Sequence, residues 1–140
     1  MIEVYLSFNG NAAQAAQYYA DVFEAGAPHV MRFGDIPKQE QENLPEDMKD
    51  LVMHATVKTF AGDFMLSDNM PDTRTMPNQG IWISATHEDE RLIRRAFDAL
   101  AKDGEIIMPL EKTFFSPMYG QLKDKFGFYW MLMLPSPPPG

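Results

Sequence analysis

An α+β fold made of two copies of one β-α-β-β-β module is predicted by three features of this sequence. The first is element order, because strand, helix and three further strands can be read twice in succession along the 140 residues. The second is self-similarity. Shifting the numbering by 77 lays Val4, Leu6, Ser7 and Phe23 on Ile81, Ile83, Ser84 and Leu100, and shifting it by 66 lays Phe60, Phe64, Met65 and Leu66 on Phe126, Trp130, Met131 and Leu132. The third is punctuation: residues 69–79 hold Asn, Asp, Pro and Thr without periodicity and read as a linker. Modules at about 1–68 and 80–134 are therefore expected within a single domain, with a frayed Pro-rich tail at 135–140. Two open sheets must bury a face each, and the expected solution is a curved mixed sheet around a cleft with the helices outside.

The elements follow in order. Ile2, Val4, Leu6 and Phe8 alternate with Glu3, Tyr5 and Ser7, which predicts a strand. Asn9-Gly10-Asn11 breaks it and offers a side-chain cap, after which Ala12, Ala15, Ala16, Tyr19, Val22 and Phe23 recur at helical spacing up to Gly26 as the stop. His29 to Phe33 reads as a short strand, and residues 34–50, acidic with two Pro, as a polar loop holding at most one helical turn. Leu51 to Phe60 and Phe64 to Ser67 are strands joined around Ala61-Gly62-Asp63. In the second module Ile81 to Thr86 alternates, and Thr86 is expected to cap a helix with Asp89 three residues on. Leu92, Ile93, Ala96, Phe97 and Leu100 form its buried stripe, and Gly104 stops it. Strands are expected at Glu105–Thr113, Met118–Lys123 and Phe128–Leu134. The last two close on Asp124-Lys125-Phe126-Gly127, where Gly127 supplies the positive φ such turns require.

Composition narrows the function classes. No cysteine is present, so thiol catalysis and Cys-ligated zinc are excluded. A net charge of -8 without a basic run argues against nucleic acid and anionic membranes as partners. No apolar run of about 18 residues and no signal-type leader is seen, which leads us to expect a soluble cytoplasmic protein.

Two β-α-β-β-β modules of this size resemble the vicinal-oxygen-chelate superfamily of glyoxalases, bleomycin-resistance proteins and extradiol dioxygenases. Within it the chain is similar to the PhnB-like branch, on YLSFNGNAAQAAQYYADVF, FGDIP, HATVKTFAGDFMLSDNMP, the IIMPLEKTFF segment and YGQLKDKFGFYWM. Members of that branch often carry a 3-demethylubiquinone-9 3-methyltransferase name. The chain shows no Gly-rich strand-turn-helix of the S-adenosylmethionine type, so methyl transfer is not expected of it. The resemblance implies a homodimer, with modules or strands either exchanged between subunits or not. In the superfamily's metalloenzymes His and Glu from the first and fourth strands of each module chelate a divalent ion. Those positions fall here on Val4, Met65, Ile81 and Met131, none of them a ligand for a hard divalent metal. No cofactor is therefore expected. The alternative is one divalent ion in an atypical set, for which His54, Asp68 and Asp124 are the candidates, serving a lyase-like or dioxygenase-like enzyme.

His54, inside a strand, is either a half-buried histidine bonded to a backbone carbonyl or a neutral imidazole acting as donor or general base at the cleft, and it is the one catalytic candidate. His54, Ser67 and Asp68 formally make a hydrolase set, but without a G-x-S-x-G elbow or an oxyanion loop. The favoured function is a metal-free binding protein holding an apolar or aromatic small molecule. Phe8, His54, Met65, Ser67, Phe114, Tyr119, Trp130 and Met131 are the candidate ligand-binding residues, Trp130 with core packing under a helix as its other role.

Overall fold

Alternating apolar residues near the N-terminus do form a strand, but β1 (Tyr5–Phe8) starts later than the alternation from Ile2 predicts. The computed structural model describes residues 1–77 and 80–137. It divides into two compact units, Met1–Thr75 and Met76–Gly140.

In the first unit β1 is followed by α1 (Ala12–Val22), β2 (His29–Arg32), β3 (Val52–Thr59) and β4 (Gly62–Asp68). The sheet order is β1-β4-β3-β2, with β1 parallel to β4 and the other pairs antiparallel. Residues 34–50 do not remain a plain loop: the segment between β2 and β3 winds through three 3-10 turns, Phe33–Asp35, Lys38–Glu40 and Glu46–Met48. Helix α1 covers one face through Tyr19 and Phe23, whose rings meet Phe64 edge-on at 5.2 and 6.5 Å. Leu6, Phe8, Ala55, Val57, Phe64 and Leu66 are buried on that side. Strict two-residue alternation sends Tyr5, Ser7, His54, Thr56, Met65 and Ser67 to the other side.

Both ends of α1 differ from the expectation. No side chain of Asn11 caps the helix. Instead Asp68, at the end of β4, accepts the backbone N–H of Gly10 and of Ala12, each at 2.9 Å, and on its other oxygen that of Val52 at 2.9 Å. The stop is also not Gly26. Glu24 takes the left-handed conformation (φ 52), Ala25 N–H donates to the Ala20 carbonyl at 2.8 Å and Glu24 N–H to Asp21 at 3.3 Å, which is a Schellman closure. A glutamate pays for that backbone, so Glu24→Gly is expected to stabilise the protein by about 0.5–1 kcal/mol, read as a raised denaturation midpoint. An unchanged or lowered midpoint would show that contacts of the Glu24 side chain outweigh the strain.

The second unit repeats the order: β5 (Trp82–Thr86), α2 (Glu90–Lys102), β6 (Glu105–Glu111), β7 (Tyr119–Lys123) and β8 (Tyr129–Met133), in sheet order β5-β8-β7-β6. The cap of α2 is Asp89 itself, accepting Arg91 N–H at 2.9 Å, and not Thr86. His87 therefore precedes the helix, and its Nδ1 accepts Asp89 N–H at 3.0 Å. The turn between β7 and β8 forms as expected, with Gly127 at φ 93. Ile83, Ala85, Leu122, Trp130 and Leu132 fall on the strand positions facing α2, against Ile93, Ala96, Phe97 and Leu100. A Cβ on Gly120 would stand 2.7 Å from Phe97, which fixes which side of β7 the helix covers.

The two modules match in order but not in register. Tyr5 pairs with Met65, whereas Ser84, not Trp82, pairs with Met131. The slide is two residues against the offsets of 77 and 66, and a two-residue slide keeps every side chain on its face. Of the linker, residues 69–75 fold onto the first unit: Asn69 donates to Asn9 Oδ1 at 2.8 Å and to Thr75 Oγ1 at 2.9 Å, and Asn9 donates to the Thr75 carbonyl at 2.9 Å. Its residues 78 and 79 and the tail residues 138–140 lie outside the described part. Of the remaining tail, Ser136 is held by a hydrogen bond from its hydroxyl to the Phe115 carbonyl.

Candidate functional site

Each sheet has one side covered by its helix and one side that its helix leaves open. The open side of the first unit carries Tyr5, Ser7, His54, Thr56, Met65 and Ser67, a set of one thioether, four hydroxyls and one imidazole. Ser7 and Ser67 are paired across β1 and β4, and Met65 has Tyr5 on one side and Thr56 on the other. Tyr5 reaches from β1 past β4, so that its hydroxyl lies 3.3 Å from His54 Nδ1. The other ring nitrogen, Nε2, lies 3.2 Å from Thr56 Oγ1. His54 is thus neither of the carbonyl-bonded type nor loose; it links two hydroxyls. A neutral imidazole gives one nitrogen as donor and one as acceptor, so the Tyr5 hydroxyl accepts or donates according to the tautomer. That makes Tyr5, half exposed on the open side, the adaptable polar group of this face, a role the sequence reading did not give it.

On the open side of the second unit Ser84, Met131 and Gln121 form a row, with Met108 paired to Gln121. Gln121 donates to the Tyr119 hydroxyl at 2.8 Å. Phe115 packs edge-on against Tyr119 with ring centres 4.9 Å apart, and Phe114, fully exposed, stands against Phe115 at 5.2 Å. At the other end Trp82 lies beside Tyr129 at 5.0 Å.

The candidate residues therefore separate. His54, Met65 and Ser67 share the open side of the first unit, and Tyr119 and Met131 that of the second, with Phe114 beyond Phe115 at its rim. Phe8 and Trp130 lie on the helix sides, 4% and 2% exposed. Trp130 is held there by its indole N–H, which donates to Asp124 at 2.9 Å. Asp124, 3% exposed, also accepts the N–H of Phe126 at 2.9 Å and of Phe128 at 3.0 Å on its other oxygen.

A divalent metal does not fit the superfamily positions. The face neighbours of Met65 are Tyr5 and Thr56, and those of Met131 are Ser84 and Gln121, so thioethers, hydroxyls and an amide stand where imidazole and carboxylate would be needed. Val4 precedes β1, with the parity of Leu6 and not of Tyr5. The atypical set fares no better: His54 and Asp68 lie on opposite sides of one sheet, which also separates the formal Ser-His-Asp set, and both oxygens of Asp68 and of Asp124 are committed to N–H donors. Among the described residues no group of three or more His, Asp or Glu side chains could hold a metal ion, and no helix is long and apolar enough to cross a membrane.

A family model described as 3-demethylubiquinone-9 3-methyltransferase matches residues 1–133. The chain belongs to this family. It is 34% identical over 134 residues to protein YjdN of Escherichia coli K12, covering 91% of this chain and 90% of that protein. Among solved structures it is similar to protein PA1353 of Pseudomonas aeruginosa, with 34% identity, coverage of 96% and 97% and a TM-score of 0.80. The PhnB protein of Bacillus cereus follows with 31% identity, coverage of 95% and 98% and a TM-score of 0.68. A glyoxylase/bleomycin resistance protein/dioxygenase domain from Frankia sp. EAN1pec, 14% identical with a TM-score of 0.65 and coverage of 99% and 93%, shares the fold. The expected α+β superfamily fold and PhnB-like branch are thereby established.

Proposed function

We propose that this PhnB-like protein binds an apolar or aromatic small molecule without a metal, on the open side of its sheets, with Tyr5 and His54 as the polar anchor. The observation that carries this reading is the make-up of the open sides. In the second unit Met108, Met131 and the rings of Phe115 and Tyr119 stand with the uncharged Ser84 and Gln121. In the first unit Met65 and the Tyr5 ring stand among hydroxyls and His54, so that apolar surface for a flat organic ligand lies beside groups that can hydrogen-bond it. The methyltransferase in the family's description is not carried over. The first strand-to-helix junction holds the single glycine Gly10 and the second, from Thr86 to Asp89, holds none, so neither offers a Gly-rich nucleotide loop. In this reading the protein works as a homodimer, as the resemblance to its superfamily suggests, and does so in the cytoplasm.

N-phenyl-1-naphthylamine, an uncharged dye that brightens in apolar surroundings, is the probe. Saturable uptake is expected in the metal-stripped protein, and Met65→Asp should weaken it about tenfold, since a carboxylate placed beside an apolar ligand must be desolvated. Circular dichroism checks that the variant is folded. Failure of the native protein to take up the dye, or stoichiometric metal surviving dialysis and required for uptake, would overturn the proposal.

A further inference from the structure

The turn between β7 and β8 borders a groove of about 520 Å³ in the second unit, lined by that turn (Asp124, Lys125, Phe126 and Gly127) together with Met76, Pro77, Lys123 and Tyr129. This volume lies in the range of sites for drug-sized ligands. Its character differs from that of the open side near Met131. Two ammonium groups stand over two rings: Lys123 Nζ is 5.9 Å from the centre of Tyr129, and Lys125 Nζ is 5.3 Å from that of Phe126. Asp124 is the acid nearest to them in sequence. Its carboxylate is turned into the unit, where it accepts from Phe126 N–H, Phe128 N–H and the Trp130 indole. Glu105 is paired with Lys123 across β6 and lies on the far side of Lys123 from Tyr129. A chain with a net charge of -8 thus sets two lysines beside apolar rings at one groove.

From these residues we infer that the groove takes the anionic group of an aromatic ligand, a carboxylate, sulfonate or phosphate ester, with the flat part of the molecule lying along Tyr129, Pro77 and Met76. Tyr129 belongs to the open side of its sheet, next to Trp82, so the groove is the charged end of that surface. The inference rests on the proposed function and adds the charge of the ligand to it.

The test compares two dyes of similar shape, anionic 1-anilinonaphthalene-8-sulfonate and uncharged N-phenyl-1-naphthylamine, on the full chain. Lys123→Gln with Lys125→Gln should weaken the sulfonate about tenfold, about threefold for each lysine, and leave the uncharged dye within about twofold. Raising the ionic strength should weaken the sulfonate in the native protein and much less in the double variant. Lys102→Gln, at the end of α2 and outside the groove, serves as control and should change neither dye. Uptake of the uncharged dye together with sulfonate binding that ignores the two lysines overturns the inference and leaves the proposed function standing. Sulfonate binding that falls equally in the Lys102→Gln control also overturns it, since the effect would then be one of net charge. No uptake of the uncharged dye overturns the proposed function, and the lysine dependence of the sulfonate still decides the anionic site.

Discussion

Asp68→Ala should lower the unfolding free energy by about 3–4 kcal/mol, a larger loss than an ordinary point substitution causes. One carboxylate, 8% exposed, holds three separate pieces of the first unit: the Gly10 turn after β1, the first residue of α1 and the first residue of β3. Hydrogen bonds from backbone N–H to a carboxylate are worth about 1.5–3 kcal/mol each, and removing the acceptor leaves buried donors unsatisfied. Water entering the space left by the side chain recovers part of that, which keeps the expected value below the sum. Ala12 N–H is one of the helix's orphan donors, and Asn11 does not serve it by side chain, so the start of α1 is expected to fray. The measurement is urea denaturation with circular dichroism, alongside hydrogen exchange. Loss of protection at the amides of Gly10, Ala12 and Val52 should accompany the drop. A loss below about 1 kcal/mol would mean that neighbouring groups take over the three donors. Asp68→Asn keeps one carbonyl oxygen and the shape, and should fall between the alanine variant and the native protein.

Asp68 also shows where sequence reading reaches its limit. Its carboxylate belongs to α1 in function but lies 56 residues from Ala12, and a cap supplied across that separation leaves no local signature. Asn11 had the right residue type at the right place, and the backbone geometry passed it over. The same holds for Glu24, which takes the left-handed position and closes the helix two residues before Gly26, the expected stop. Element order, the two-unit repeat and the Gly127 turn were legible because each rests on a pattern within a few residues. Face assignment was legible in principle, since alternation from Leu66 places Asp68 with the core and alternation from Leu132 places Trp130 there. Aromatic type alone groups Phe8 and Trp130 with the ligand residues, but parity decides their side, and for Trp130 it is the other expected role, packing under the helix, that the structure shows. The Tyr5–His54–Thr56 link was not legible, because it crosses two strand pairings and depends on the β1 register. The two-residue slide between modules had the same cause: offsets measured separately on two strands carry no information on how those strands pair.

Gly104→Ala should cost about 3 kcal/mol, and the reason is a backbone approach, not a torsion. Gly104 follows the C-cap of α2 and, unlike Gly127, does not occupy positive φ. A Cβ built on it would lie 2.3 Å from the Lys123 carbonyl oxygen, 2.8 Å from that of Leu100 and 3.1 Å from Asp124 Cα. All three are backbone atoms, so no side chain can swing aside. Relief requires the end of α2 to move away from the end of β7, against the buried Leu100 and Leu122, or the β6–β7 pairing at Glu105 and Lys123 to open. Overpacking of a core side chain costs about 1–3 kcal/mol, and a clash confined to main chain belongs at the upper end of that range. The alanine gains helix propensity of about 1 kcal/mol only if the helix extends through it, which the cap at Asp103 does not allow. Because the Asp124 turn lies against the same glycine, the variant should also disturb the groove beside Lys123. Thermal denaturation gives the cost, and the sulfonate dye gives the second readout: weaker binding in a protein that still folds at low temperature. Native stability in Gly104→Ala would show that the helix end and β7 slide apart freely, and would remove the close packing that sets the Asp124 turn in place.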